Sequence, residues 1–543
     1  MISISMKKNS VLVFMMFALS LSLVCAGSYA DKAKCSNGYA VYNVNTGLGY
    51  STIQSAIDAQ QTVASHTISV KEGIYHESVV ITKSVSLIGE NRNNTVIVGN
   101  EGDVVVHVKA SDTTIKGFTI RDGYIGVYVV YSNDSLVTEN ILSNTTDAIH
   151  VRYSDNCMIH QNIVENNGQR GIFVTNSWNF TISDNCVCDN GWYGINANAS
   201  VGGLIAGNNV CRNYYDGIGL GSNCSNCIIA RNNVKNNILY GVWFDSDSGG
   251  NSIYHNNIAD NGIQAIATLA NHWDDGIEGN YWGNHADTDL NYDGIGDAAQ
   301  VLNENNIDNY PLVGVFFSLQ TLANHNINVI SNSTIDSLVF FEYNHTIKML
   351  VSNMTAGQTY GFCRVRIPHG LMVEPYNVHV DDTDPDYVNY ALYHEGGDWW
   401  IYFSYRHSTL EVVIQGFPPP DTTPPAVSII SPKSITYTTS SIILDFTVSE
   451  EPSWISYSLN GQANTTINGN ITLSGLANGM HGIIVYASDS AENIGSSELV
   501  YFSVNVQQGE SFPLLEIITI MTLIVVVALV SAYLRKASKK TRQ

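Results

Sequence analysis

The run Asp287-Thr-Asp-Leu-Asn-Tyr-Asp-Gly-Ile-Gly-Asp297 places oxygen-bearing side chains at alternate positions, the spacing that lets a chain wrap one hard cation. Counted from Asp289, the loop offers Asp289, Asn291 and Asp293 at positions one, three and five. Gly294 follows at six, where the chain must turn sharply, then the carbonyl of Ile295 at seven and Asp297 at nine. Asp287 is placed to complete the shell. Position twelve is Gln300 in place of a bidentate Glu, and no helix pair flanks the loop. Calcium is the expected ion, bracing the chain and not catalysing; a solvated acidic loop is the alternative.

A second group mixes acids with flat rings: Asp147, Arg170, Tyr193, Asp216, Tyr240 and Gln264 recur at one place of a repeat, flanked by Trp192, Tyr215 and Trp243. Rings offer stacking faces to sugars, and Asp, Arg and Tyr supply hydrogen bonds. Glycosidic hydrolysis needs two carboxyls about 5–9.5 Å apart. Asp147 and Asp216 lie three coils apart, roughly 14 Å at the spacing of stacked strands, which is too far. Asp216 with Asp245, or His150 with Asp147 and Arg170, are the local groups left for catalysis. An ordinary solvated face of the solenoid is the reading preferred over catalysis, and a polysaccharide could lie across several coils.

The elements that must position these residues are coils. Asn140, Asn162, Asn185, Asn208, Asn232 and Asn256 each open a similar segment of about 22 to 24 residues, the signature of a solenoid. Aliphatic columns accompany them at Val137, Ile159, Ile182, Ile205, Ile229 and Ile253, and at Leu142, Val164, Val187, Val210, Val234 and Ile258. A third follows small residues: Ile149, Ile172, Ile195, Ile218, Val242 and Ile266 after Ala148, Gly171, Gly194, Gly217, Gly241 and Ala265. Three short strands per coil, alternating inward and outward, predict an all-β chain built on a right-handed parallel β-helix. Like residues then stack on like, so the Asn columns are expected to form amide ladders. Ser51–Asp58 reads as a short capping helix opened by a Ser/Gln capping box, with the first, less regular rungs at 67–70, 78–81, 84–88 and 95–98.

Cys188 and Cys211 hold the same place in adjacent coils, about 4.8 Å apart, within reach of a disulfide. Cys35, Cys157, Cys186, Cys224, Cys227 and Cys363 remain after removal of the leader.

The block from Tyr39 resembles the entry to pectin-lyase-like β-helix proteins, and the coils resemble carbohydrate-binding and sugar-hydrolase repeats. The closing motif Trp273-Asp-Asp-Gly-Ile-Glu-Gly-Asn-Tyr-Trp-Gly283, with the acidic run to Asp297 and Asp308-Asn-Tyr-Pro-Leu312, resembles the end of NosD-type periplasmic copper-binding proteins. After Asp297 the chain departs from that pattern, with Ala298-Ala-Gln300. The resemblance spans 39–312 and raises copper, for which Cys186, Cys188 and Cys211 are the one soft group placed together.

Residues 1–30 read as a secretory signal peptide, with Lys7 and Lys8 before an apolar run and Ser28-Tyr-Ala30 as cleavage site. Ile517–Leu534 is long and apolar enough to span a bilayer, and the basic residues of 535–543 are expected to stay in the cytoplasm. Residues 315–416 alternate as a β-sandwich-like module, 417–426 form a Pro-rich linker, and 427–506 resemble an immunoglobulin-like surface domain. A net charge of −23 argues against nucleic acid as a partner. Asn-x-Ser/Thr acceptors such as Asn133, Asn144, Asn179 and Asn223 permit glycosylation.

These features describe a single-pass, extracytoplasmic protein of an archaeal or bacterial surface: a β-helix held out by β-modules from a C-terminal anchor. The preferred function is non-catalytic binding of a glycan or envelope polymer, with calcium bracing the helix. The alternatives are a tethered polysaccharide lyase, hydrolase or epimerase, and accessory work in copper-site assembly, which the resemblance implies.

Overall fold

The computed structural model describes residues 39–285, 288–381, 390–395, 398–406, 409–507 and 514–540. The expected signal peptide, Cys35, Asp287 and the end of the basic tail lie outside them.

Short apolar segments separated by residues that accept a left-handed backbone dictate the solenoid. Non-glycine residues with positive φ recur at the corners, among them Asn144, Asn166, Asp189, Asn236 and Asp260, residue types that adopt this conformation at small penalty. Between corners the strands stack in parallel. One wall is an eleven-stranded sheet from Gly49–Tyr50 to Ser252–Tyr254, and in it Val137 pairs with Ile159, Ile159 with Ile182 and Ile182 with Ile205. A second runs through Cys186–Cys188 and Asn209–Cys211, a third through Ile172–Thr175, Ile195–Asn198 and Ile218–Gly221. The three aliphatic columns fill the interior, nearly all of their residues fully buried.

Two amide ladders run along the corners. From Asn140 to Asn280, each Asn donates its backbone N–H and Nδ2 to the Oδ1 of the Asn one coil on, at 2.9–3.1 Å. A second ladder joins Asn167, Asn190, Asn213, Asn237 and Asn261. Each interior amide also reaches a backbone carbonyl, as Asn208 Nδ2 does to Ile182 O at 2.8 Å. Asn208→Ala leaves the Asn185 donors and that carbonyl buried and unsatisfied. It is expected to destabilise the chain by about 2 kcal/mol, whereas Asn209→Ala on the exposed side changes stability by less than about 0.5 kcal/mol; denaturant titration of both checks this.

The N-terminal helix Ile53–Asp58 buries Ile53, Ala56 and Ile57 against the first coil. Its cap differs from the expected Ser51/Gln54 pair: Thr52 is the N-cap, and its box partner is Ser55. Gln54 is drawn away by the backbone of Val80, accepting from its N–H at 2.7 Å and donating to its carbonyl at 3.0 Å. Glu77 takes the helix's first free amides, Ile53 N and Gln54 N, each at 3.0 Å.

The last coil also departs from the expected column. Val242 pairs with Ala265 and Trp243 with Ile266, so Tyr240 stands over Ile263 and not over Gln264. The corner before it is one residue shorter, because Gln264 Oε1 accepts from Asn261 Nδ2 at 2.9 Å and ends the second ladder. The first ladder ends on Asp308, whose Oδ2 accepts from Asn280 N and from the Trp282 indole, both at 2.8 Å. Trp273 and Trp282, both buried with rings 5.6 Å apart, close the core.

The first β-module pairs a five-stranded sheet, which includes Val315–Gln320 and Tyr360–Ile367, with a four-stranded sheet that includes Thr346–Asn353 and Leu410–Phe417. It packs directly on the last coil: Asn257 exchanges two hydrogen bonds with the backbone of Phe316. The chain divides at Pro419 into two compact units. The second holds a sandwich of three and six strands between Val427 and Val504 and the helix Leu514–Lys540, in which Glu516–Lys536 is long and apolar enough to cross a membrane.

Candidate functional site

The third wall carries the outward residues of interest, because each inward aliphatic residue is followed by one facing out. In register these are His107, Tyr128, His150, Phe173, Asn196, Gly219 and Trp243. The first four form a ring ladder, with centroids 5.2, 5.0 and 4.6 Å apart. It was legible in Val106-His-Val, Val127-Tyr-Val, Ile149-His-Val and Ile172-Phe-Val but is absent from the expected set save for His150.

Arg170 lies over Phe173 and Trp192, with Cζ 4.2 and 5.1 Å from the centroids. Asp147 takes its backbone N–H and Nη1, both at 3.2 Å. His150 is held neutral: burial, then the charges of Arg170 and Arg152, push it down to about 4. Its Nε2 lies 3.2 Å from Thr175 Oγ1. Asp147, Arg170 and His150 thus share one neighbourhood, but the carboxylate there is spent on the arginine.

From the next coil on, four rings gather. Tyr193 stands 5.0 Å from Trp192, 5.4 Å edge-on from Tyr215 and 6.4 Å from Trp243. Gly219 permits this closeness: a Cβ there would stand 3.2 Å from Trp243 Cε3 and 3.6 Å from Tyr193 Cδ1. Asp216 lies beside these rings, 1% exposed. Its Oδ1 accepts from Tyr240 N at 3.2 Å, and its Oδ2 is buried with no hydrogen-bond partner among the described residues. Burial raises its carboxyl to about 7, against the opposing pull of the Tyr240 N–H. Tyr193 is pushed up to about 12 by burial and then by Asp216. Asp245 does not join Asp216; it accepts from Ser222 Oγ and Ser246 N at its own corner.

In the acidic loop, Asp289 accepts from Asp293 N and Gly294 N at 3.0 and 2.9 Å, and Asp293 from Ile295 N at 2.8 Å. Asn291 Nδ2 donates to Asp293 Oδ2, and Asp297 Oδ2 accepts from Leu290 N. The side chains therefore already fold the loop around Gly294. Burial raises the Asp289 carboxyl against the pull of the Gly294 and Asp293 N–H groups, and repulsion from Asp293 adds to the rise.

Cys188 and Cys211 are joined in a disulfide with Cα atoms 4.6 Å apart. That removes two of the three soft ligands considered for copper and leaves Cys186 with a free thiol. Among the described residues, the one set of three or more His, Cys, Asp or Glu side chains with ligand atoms within 4.8 Å is Asp421, Glu450 and Asp489, all oxygen donors. Among the described residues of the solenoid, no three such side chains gather, and no thiolate, thioether and imidazole set suited to copper is formed.

Fold and face together define a parallel β-helix protein with an aromatic outer surface. Residues 87–287 match the model of the family described as periplasmic copper-binding protein (NosD), so the resemblance holds over the coils. A cell surface glycoprotein of Methanothermus fervidus is 28% identical over 26% of this chain and 21% of its own length. Halomucin of Haloquadratum walsbyi is 40% identical over 15% of this chain and 1% of its own. The chain thus spans about a fifth or less of these relatives. Among solved structures, the A-module of the Azotobacter vinelandii mannuronan C-5 epimerase AlgE4 is similar at 16% identity, covering 47% of this chain and 86% of that one, with a TM-score of 0.30.

Proposed function

We propose that the chain is a membrane-anchored cell-surface protein whose β-helix binds a glycan or envelope polymer without transforming it. The gathering of Trp192, Tyr193, Tyr215 and Trp243 from three successive coils carries this reading, since a polymer lying along the axis would meet them in turn, with Tyr240 beside them. Similarity to a cell surface glycoprotein supports the location, and the apolar helix supplies the anchor, with the basic tail inside. Calcium at Asp289, Asn291, Asp293, Asp297 and the Ile295 carbonyl braces the closing loop, with Asp287 as a further ligand.

Glycan-array binding of the detergent-solubilised chain, with and without calcium, tests this. Retention of at least one glycan class is expected, weakened about tenfold in Trp243→Ala; no retention in either condition overturns the glycan reading. A second reading, a carbohydrate-active lyase or hydrolase, is favoured by Asp216: a carboxyl near 7 is poised as a general acid or base at neutral pH. Product release from a polysaccharide, lost in Asp216→Ala, would establish it over the first.

A further inference from the structure

At the far end of the same wall, Tyr131 and Tyr153 occupy equivalent corners of adjacent coils. Their rings stack at 5.1 Å with planes 9° apart, and they are 71% and 39% exposed. Both have a left-handed backbone, φ 51° and 48°, at a corner where the following coils carry Asn176 and Ala199. Bulky residues adopt this conformation at a penalty that Asn largely escapes. No core is gained in return, because the rings face outward. Glu139, Gln161, Arg212 and Arg231 take the same backbone at other corners, so what distinguishes this corner is the stacked, exposed pair of rings.

Between them in sequence stands Arg152, exposed on the last residue of its strand. Its Cζ lies 4.8 Å from the Tyr153 centroid, and its Nη2 donates to the Tyr153 hydroxyl at 3.4 Å. Elsewhere in the coils, Lys116, Arg121, Arg170 and Arg212 each meet a carboxylate, while Arg92, Lys109, Arg231 and Lys235 stand without an ion pair among the described residues, so what sets Arg152 apart is its place beside the two rings. Among the described residues none pairs with Arg152 within 4.0 Å. A chain of net charge −23 thus presents a held, uncompensated guanidinium beside two stacked rings.

We propose that Tyr131, Arg152 and Tyr153 form a second saccharide subsite, selective for sugars bearing a carboxylate. The rings take the apolar sugar face, and the guanidinium fork takes the carboxylate through paired charged hydrogen bonds. The assignment rests on the glycan-binding reading above and adds to it the charge of the ligand.

Binding of the full chain to polygalacturonate and to its methyl ester, measured by titration calorimetry, tests the assignment. The wild type is expected to prefer the acid polymer about tenfold, and Arg152→Gln to abolish that preference while leaving affinity for the ester unchanged. Tyr131→Asn and Tyr153→Asn should weaken both polymers severalfold and raise Tm by roughly 2 °C each by relieving the corner. Binding of the ester without preference for the acid would overturn this assignment alone, as would a preference that survives in Arg152→Gln. A fall in Tm of either Asn variant would make the rings structural and overturn it too. Failure to bind either polymer overturns it, and separates from failure of the broader reading by the glycan array.

Discussion

Arg364→Met is expected to destabilise the junction between the solenoid and the first β-module by about 3–5 kcal/mol, the range for breaking a buried ion pair from one side. Arg364 comes from the strand Tyr360–Ile367 of the module and bonds Glu278 Oε1 through Nη1. The other Glu278 oxygen lies 2.7 Å from His255 Nε2, and His255 stacks on Phe316 at 4.3 Å. The guanidinium itself lies 3.4 Å over the Trp400 ring. Glu278 is 1% exposed and Arg364 5%. Burial alone would push the Glu278 carboxyl up; the His255 hydrogen bond and the Arg364 charge outweigh it and hold the group below the usual carboxylate range.

Removing Arg364 therefore leaves a carboxylate buried with half its compensation. The signature that separates this from lost packing is rescue: Glu278→Gln combined with Arg364→Met should recover most of the loss in chemical denaturation. A single variant costing under about 1 kcal/mol would show that the pair does not hold the junction. Because the Glu278 carboxyl is depressed in the fold, its contribution is present above the ordinary value near 4 and is lost as pH falls below it.

How much of this was open to reading in the sequence follows from the kind of interaction involved. The coils were, since stacking repeats the same demand every turn: the Ile and Asn columns are periodic because each residue's neighbour is its own copy. The Trp and Asp residues of the closing motif were recognisable as a motif. Their roles were not, because the Trp282–Asp308 and Arg364–Glu278 contacts span 26 and 86 residues with no period behind them. The last coil lies one residue off the column its spacing predicts for a similar reason: Gln264 substitutes for an Asn in the ladder, and only the register of Val242 on Ala265 exposes the shift. At the outer face, the column through Tyr193 and Asp216 was visible as spacing. That Gly219 lets the rings close, and that the Asp216 carboxyl is desolvated, are facts of three-dimensional crowding.

That desolvation leads to a second large effect, opposite in sign to the Glu278 one: Asp216→Asn should stabilise the chain at pH 8 by about 2–4 kcal/mol and change little at pH 4. Asp216 stands at about 7 in the fold against 3.8 when exposed, so the native state favours the protonated carboxyl. Its contribution is fully present below the unfolded value near 4, is lost as pH rises through about 7, and is absent above. Asn keeps an oxygen for the Tyr240 N–H and has no charge to bury. Asp308, raised to about 6 by burial against the Trp282 and Asn280 donors, retains its own slope in the same direction, so the variant's pH profile flattens without becoming level. Unfolding free energies at pH 4, 6 and 8 decide the matter, and an Asn variant less stable than wild type at pH 8 would sink the argument. If the gain is found, a carboxyl is being kept in the wall at the expense of stability, where an amide would serve the fold better. An ionisable group retained on those terms, beside four rings, points to a task at the ligand, and the variant's glycan affinity and any product release would show whether that task is contact or chemistry.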